Sequence, residues 1–113
     1  MAIISVNQLF DLYIDTLQKC SKSLLTMDDE EVEYNVFEEF NIGVVSFLHK
    51  ESLDRLLSKQ LISHHIKEES LLLREQVINL ENSDEWNIEA FRKSDRWRLV
   101  IDLSDKIKSE LGV

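Results

Sequence analysis

Apolar residues recur at intervals of three and four along most of the chain, which is the spacing of one face of an α-helix. The first run comprises Val6, Leu9, Phe10, Tyr13, Leu17, Cys20 and Leu24. Ser5 and Gln8 have the spacing of a capping box, so the pattern predicts a helix that begins after Ser5 and reaches about Leu25. Ile3 and Ile4 precede this cap, where a hydrophobic staple or a short edge strand fits the sequence.

A second run keeps helical spacing from residue 32 to residue 48. Its members are Val32, Val36, Phe37, Phe40, Val44, Phe47 and Leu48. Thr26 is the predicted cap, and the acids that follow it suit the positive end of the helix dipole. Gly43 either kinks one long helix or separates two shorter ones. We favour a single helix, because Val44 continues the apolar stripe in phase.

Serines mark the predicted boundaries in the second half of the chain. Ser52 precedes a short stripe of leucines, and Ser63 is the predicted cap of a helix that ends near Glu81. A loop and a short turn follow. Ser94 is then the predicted cap of a last helix, for which Gly112 is a typical stop. The predicted fold is all-α, with residues 1–113 forming a single domain, a compact bundle of four to six helices with short polar links.

Composition agrees with this fold class. The chain has 113 residues, of which 43% are hydrophobic, and only two glycines and no proline, too few turn formers for an all-β fold. We expect a core that includes the following residues: Leu9, Phe10, Tyr13, Leu17, Leu24, Phe37, Phe40, Phe47, Leu56, Leu73, Val77, Trp97, Ile101 and Ile107. Cys20 is the sole cysteine and is predicted to be buried. With no signal-peptide pattern and no long apolar run, the chain is predicted to be cytoplasmic, with no membrane association.

No pattern of catalytic residues stands out. His64 and Glu68 are four residues apart, as are His65 and Glu69, so each pair shares a helical face. The two histidines, however, point about 100° apart on a helix. We therefore expect surface His–Glu pairs rather than a metal site. Neither a nucleophile elbow nor a glycine-rich phosphate loop is present, and we expect no enzymatic activity and no cofactor.

The net charge of −9 is concentrated in two segments. Residues 28–39, the first acidic segment, carry seven acids and no base, and residues 80–91, the second acidic segment, carry four acids. Each contains an aromatic residue, and acids around an aromatic anchor are typical of a surface that binds a basic protein. The candidate partner-binding residues are Asp28, Asp29, Glu30, Glu31, Glu33, Tyr34, Glu38, Glu81, Asp84, Glu85, Trp86 and Glu89. The alternative is a solvated helix start, with Trp86 in the core. Nucleic acid is an unfavourable partner for so acidic a chain.

The stretch from Glu85 to Ile107 opens its final helix with Ser94-x-x-Trp97 and contains Asp105-Lys106-Ile107. It resembles the C-terminal part of immunity proteins of bacterial toxin systems, of the colicin or contact-dependent growth-inhibition type. That resemblance implies a protein that binds and neutralises one toxin domain, commonly a basic nuclease. Two other classes stay open: a helical adaptor or regulatory subunit, for which a homodimer is possible, and an acidic inhibitor that mimics DNA.

Overall fold

Six helices and one 3₁₀ segment make up the structure, a computed structural model that describes residues 4–113. The helices are α1 (Val6–Gln18), α2 (29–47), α3 (Lys50–Ser58), α4 (His64–Glu81), α5 (Ile88–Lys93) and α6 (Asp95–Leu111), and the 3₁₀ segment is Lys22–Thr26. No strand occurs in residues 4–113. The predicted all-α bundle of four to six helices is therefore confirmed. The staple or edge strand suggested for Ile3 lies outside the described residues.

Several predicted helix ends are confirmed by their hydrogen bonds. The hydroxyl of Ser5 accepts from the backbone N–H of Gln8 at 3.1 Å, and the Gln8 side chain accepts from the Ser5 N–H at 3.0 Å. The hydroxyl of Ser63 accepts from the Ile66 N–H and caps α4, and the hydroxyl of Ser94 accepts from the Arg96 N–H and caps α6. Gly112 ends α6 with a left-handed φ of 77°, a conformation that suits glycine because it lacks Cβ.

The predicted end of α1 is wrong. The helix stops at Gln18, and residues 22–26 form the 3₁₀ segment instead of a further α-helical turn. The Ser104 hydroxyl of α6 donates to the Leu17 carbonyl at 2.8 Å, so this carbonyl is satisfied without another turn of α1. Leu24 still reaches the core from the 3₁₀ segment.

The predicted cap of the second helix is also wrong. Asp28, not Thr26, caps α2 and accepts from the Glu31 N–H at 2.9 Å. The next helix, α3, begins at Lys50, close to the predicted boundary at Ser52, and His49 caps it through its imidazole. A cap side chain must reach an N–H two or three residues ahead, and several polar side chains near each boundary are able to do so. The sequence alone does not choose among them.

The second helix is single, as predicted, but its middle is not α-helical. Asp29–Val32 and Asn41–Phe47 are α-helical, whereas Glu33–Phe40 is π-helical. The fully buried residues follow one another at intervals of four: Val32, Val36, Phe40, Val44 and Leu48. In an ideal α-helix each step of four residues turns a side chain about 40° past its predecessor. The wider π turn absorbs this drift and keeps the row pointed at the core.

The core runs between α1, α2, α4 and α6. Most of the predicted core residues are buried, but Phe10, Phe37 and Phe47 are only half-buried at its edge. Cys20 is fully buried as predicted, and this burial raises the pKa of its thiol. Within residues 4–113, no helix combines the length and the apolar character needed to cross a membrane.

Gly43 of α2 packs directly against Thr16 of α1. A Cβ added there would overlap the side chain of Thr16 on α1. That side chain is held in place, because its hydroxyl donates to the Leu12 carbonyl at 2.8 Å. Gly43 is thus required by packing and does not interrupt the helix.

We predict that Gly43→Ala lowers the free energy of unfolding by about 1–3 kcal/mol through overpacking. This loss is expected although alanine has the higher helix propensity by about 1 kcal/mol. Thr16→Ala removes the two closest clashing atoms, Oγ1 and Cγ2, but keeps Cβ, so the double variant should recover part of the loss. Urea unfolding of the single and double variants measures this coupling, and a more stable Gly43→Ala protein would contradict the prediction.

Candidate functional site

An aromatic cluster brings the two acidic segments side by side. Phe37 of the first segment packs edge-on against Trp86 of the second, with ring centroids 5.1 Å apart. Both rings also contact Trp97, at 5.5 and 5.4 Å. Phe91 completes the cluster at 5.3 Å from Trp97. Segments that are separate in the sequence thus share one side of the molecule.

Arg92, which directly follows the second acidic segment, makes a further connection to the start of the first. Its guanidinium donates to the carbonyls of Leu25 and Met27 at 2.9 and 2.8 Å and to the Asp29 carboxylate at 3.0 Å. These bonds hold the chain just before α2 against α5. Of the acids in the first segment, Asp29 is therefore engaged within the protein.

Glu85 holds the junction between α5 and α6. Its carboxylate accepts from the Ser94 hydroxyl and from Nη1 of Arg96 at 2.8 Å, and these two hydrogen bonds lower the pKa of Glu85. Its backbone carbonyl accepts from the indole N–H of Trp97 at 2.7 Å. Trp86 beside it is half-buried in the aromatic cluster. The structure thus gives both Glu85 and Trp86 internal contacts.

The other acids face solvent. Glu30, Glu31, Glu33, Glu38, Glu81 and Asp84 are exposed, and none of them forms an ion pair with any residue in the described range 4–113. Asp28 caps α2 and is also exposed. Glu89 is paired with Lys93 at 3.7 Å, but both side chains are solvated and such pairs contribute little.

Exposed apolar residues lie among these acids. The side of α2 opposite the buried row carries Glu30, Tyr34, Glu38 and Ile42, again at intervals of four, and we call these residues the α2 outer face. Tyr34 is 54% exposed and Ile42 is 60% exposed. Val45 is exposed nearby in the chain. Ile42 was not among the predicted binding residues, although it continues the row of Tyr34 at the same interval of four.

A separate polar cluster lies where the start of α4 meets the end of α6. His65 approaches Glu69, as the spacing of four predicts, and α6 adds Glu110 and Lys106. The sequence did not indicate Glu110, which joins the pair only through tertiary packing. His64 is exposed and is not part of this cluster.

Comparison with known proteins gives no match: no protein-family model, no curated protein and no solved structure matches the chain.

We predict that Arg92→Ala lowers the free energy of unfolding by about 1–3 kcal/mol, because it leaves two backbone carbonyls without their donor. Lys93→Ala is the matched control. Lys93 is next in the chain and largely solvated, so its loss should cost less than about 0.5 kcal/mol. Urea unfolding of both variants measures the difference, and equal stabilities would show that the Arg92 contacts add nothing.

Proposed function

We propose that this protein is an immunity-type inhibitor that binds and neutralises a basic toxin domain, such as a nuclease, through the α2 outer face. The main observation behind the proposal is that Tyr34 and Ile42 are exposed in one row with Glu30 and Glu38. Neither of these acids forms an ion pair with any residue in the described range 4–113. These exposed residues belong neither to the core nor to an ion-pair network within the described part of the protein.

The charge of this surface supports a basic partner. A nuclease needs positive charge where it holds phosphate, and carboxylates presented at matching positions compete for that surface. Charges that stay solvated at the rim act mainly on the rate of association. The aromatic cluster adds the second acidic segment to the same side, which enlarges the negative field.

The exposed apolar side chains supply the contact energy in this proposal. Tyrosine combines a large apolar ring with a polar tip and is enriched among interface hot spots. Tyr34 lies between Glu30 and Glu38 in its row, so a polar rim surrounds the anchor. Trp86 is half-buried against Phe37 and Trp97, so it contributes less direct contact than Tyr34.

The toxin as partner is suggested by the resemblance of residues 85–107 to immunity proteins. In this fold the segment forms α5, the junction at Glu85 and most of α6, and so it carries the platform for the acidic side. Immunity to a nuclease further implies a cytoplasmic protein, since nucleic acid is the toxin's target there.

A second candidate, a helical adaptor, is favoured by one other surface. Leu72 of α4 and Leu99 of α6 are 46% and 62% exposed and line a groove with Leu103. An adaptor or homodimer would cover this groove rather than the α2 outer face. Light scattering distinguishes the two: a dimer that Leu99→Ser converts to a monomer would favour the adaptor.

The main experiment compares two variants of equal net charge. We predict that Glu30→Gln, Glu33→Gln and Glu38→Gln together slow association with the cognate basic toxin domain and flatten its salt dependence. These residues are chosen because they have no internal role, unlike Asp28 and Asp29. The control is Glu51→Gln, Glu68→Gln and Glu75→Gln, which are also exposed but lie on α3 and α4. Surface plasmon resonance at low and high salt measures both, and equal association rates would contradict steering by this face.

Tyr34→Ala tests the anchor. We expect a loss of about 2–4 kcal/mol in binding, the scale of interface hot spots, with no matching loss of folding stability because Tyr34 is exposed. A cell-protection assay provides the functional readout. If wild-type protein fails to bind that toxin domain or to protect cells that express it, the immunity proposal is wrong.

A further inference from the structure

Three side chains with metal-ligating atoms meet where α4 begins and α6 ends. Nε2 of His65 lies 3.3 Å from Oε1 of Glu69 and 3.2 Å from Oε2 of Glu110. One ligand atom from each residue lies within 4.8 Å of the other two. We propose that His65, Glu69 and Glu110 bind one divalent transition-metal ion, with Zn²⁺ as the favoured ion. This inference is independent of the toxin-binding proposal and replaces the sequence-based expectation of a simple surface pair.

The burial and the hydrogen bonding of Glu69 support a bound cation at this cluster. Its side chain is only 9% exposed, and Oε1 is buried without a hydrogen-bond donor among the described residues. Nε2 of His65 lies 3.3 Å from Oε1 but forms no hydrogen bond with it. The other oxygen, Oε2, accepts from Nζ of Lys106 at 2.8 Å. A buried carboxylate oxygen without a donor is costly, and a cation held by His65 and Glu110 would satisfy it.

The distances suit zinc. Bonds from Zn²⁺ to nitrogen and oxygen ligands are about 2.0–2.2 Å, which places two ligand atoms of a tetrahedral site about 3.3–3.6 Å apart. The separations of 3.3 and 3.2 Å between His65 and the two carboxylates are close to this range. Three protein ligands leave a fourth position for water. The imidazole favours zinc over magnesium or calcium, which prefer oxygen ligands alone.

The charges of the side chains at this cluster are also compatible with a bound cation. A hydrogen bond with the adjacent carboxyl group of Glu69 raises the pKa of Glu110. Lys106 and Tyr13 are the other titratable groups close by. The hydrogen bond to Glu69 raises the pKa of Lys106, and burial raises that of Tyr13 to about 12, so both keep their protons at neutral pH. The cluster thus places two carboxyl groups beside one lysine.

Bound zinc would link the start of α4 to the end of α6. His65 and Glu69 are on the first turns of α4, and Glu110 is in the last turn of α6. An ion that binds only the folded state stabilises it by mass action. The effect of zinc on unfolding is therefore a readout that does not depend on any activity.

The experiment uses the full chain without an affinity tag. Calorimetric titration with ZnCl₂ should give one ion per chain, and zinc should raise the midpoint of thermal unfolding. His65→Ala and Glu110→Gln should each weaken zinc binding at least about tenfold, as loss of a ligand costs no less than loss of an outer-shell partner. His64→Ala and Glu68→Gln are the matched controls, since both are exposed neighbours outside the cluster.

Cobalt absorption supplies a second measurement. Co²⁺ in a site with an imidazole and two carboxylates gives visible bands that free Co²⁺ in water lacks at the same intensity, and His65→Ala should remove them. Circular dichroism checks that each variant is folded. Absence of zinc binding by the wild-type chain would overturn the proposal, and so would equal zinc affinity of the folded His64→Ala and His65→Ala variants.

Discussion

Trp97 lies fully buried at the first turn of α6, and the rings of Phe37, Trp86 and Phe91 pack around it. This cluster has an electrostatic cost. It holds a segment with seven acids beside one with four, and like charges repel most strongly when they are brought close. Burial of large aromatic surfaces offsets that repulsion, and the cations Arg92 and Arg96 neutralise part of it from within the same side. The acidic surface therefore depends on the apolar contacts beneath it.

The geometry of α2 follows from a related constraint. A helix with buried residues at strict intervals of four cannot be a straight α-helix and keep all of them in the core. The π-helical stretch resolves this conflict, and it also aligns the opposite side, so Tyr34 and Ile42 fall into one row. The spacing of four residues that keeps the buried side chains in the core thus also determines which exposed side chains lie in one row.

Local patterns in the sequence predicted the fold class, the single helix through Gly43 and the caps at Ser5, Ser63 and Ser94. These features depend on residues a few positions apart. The end of α1 was predicted wrongly because Ser104, far along the chain, satisfies a carbonyl there. The position of Glu110 beside His65 was not predicted for the same reason, since nothing within α6 indicates this contact. For the binding surface, the sequence identified the acids but not which of them, such as Asp29 and Glu85, pair with basic residues of the same protein.

The central place of α6 has a consequence for biosynthesis. This helix packs against both α1 and α4, and its Trp97, Ile101 and Ile107 are fully buried, yet it is the last of the described helices to leave the ribosome. Until it emerges, the apolar faces of α1, α2 and α4 have no complete partner. Those faces stay open to chaperones or to self-association during translation, so this bundle reaches its protected state only after α6 has been synthesised.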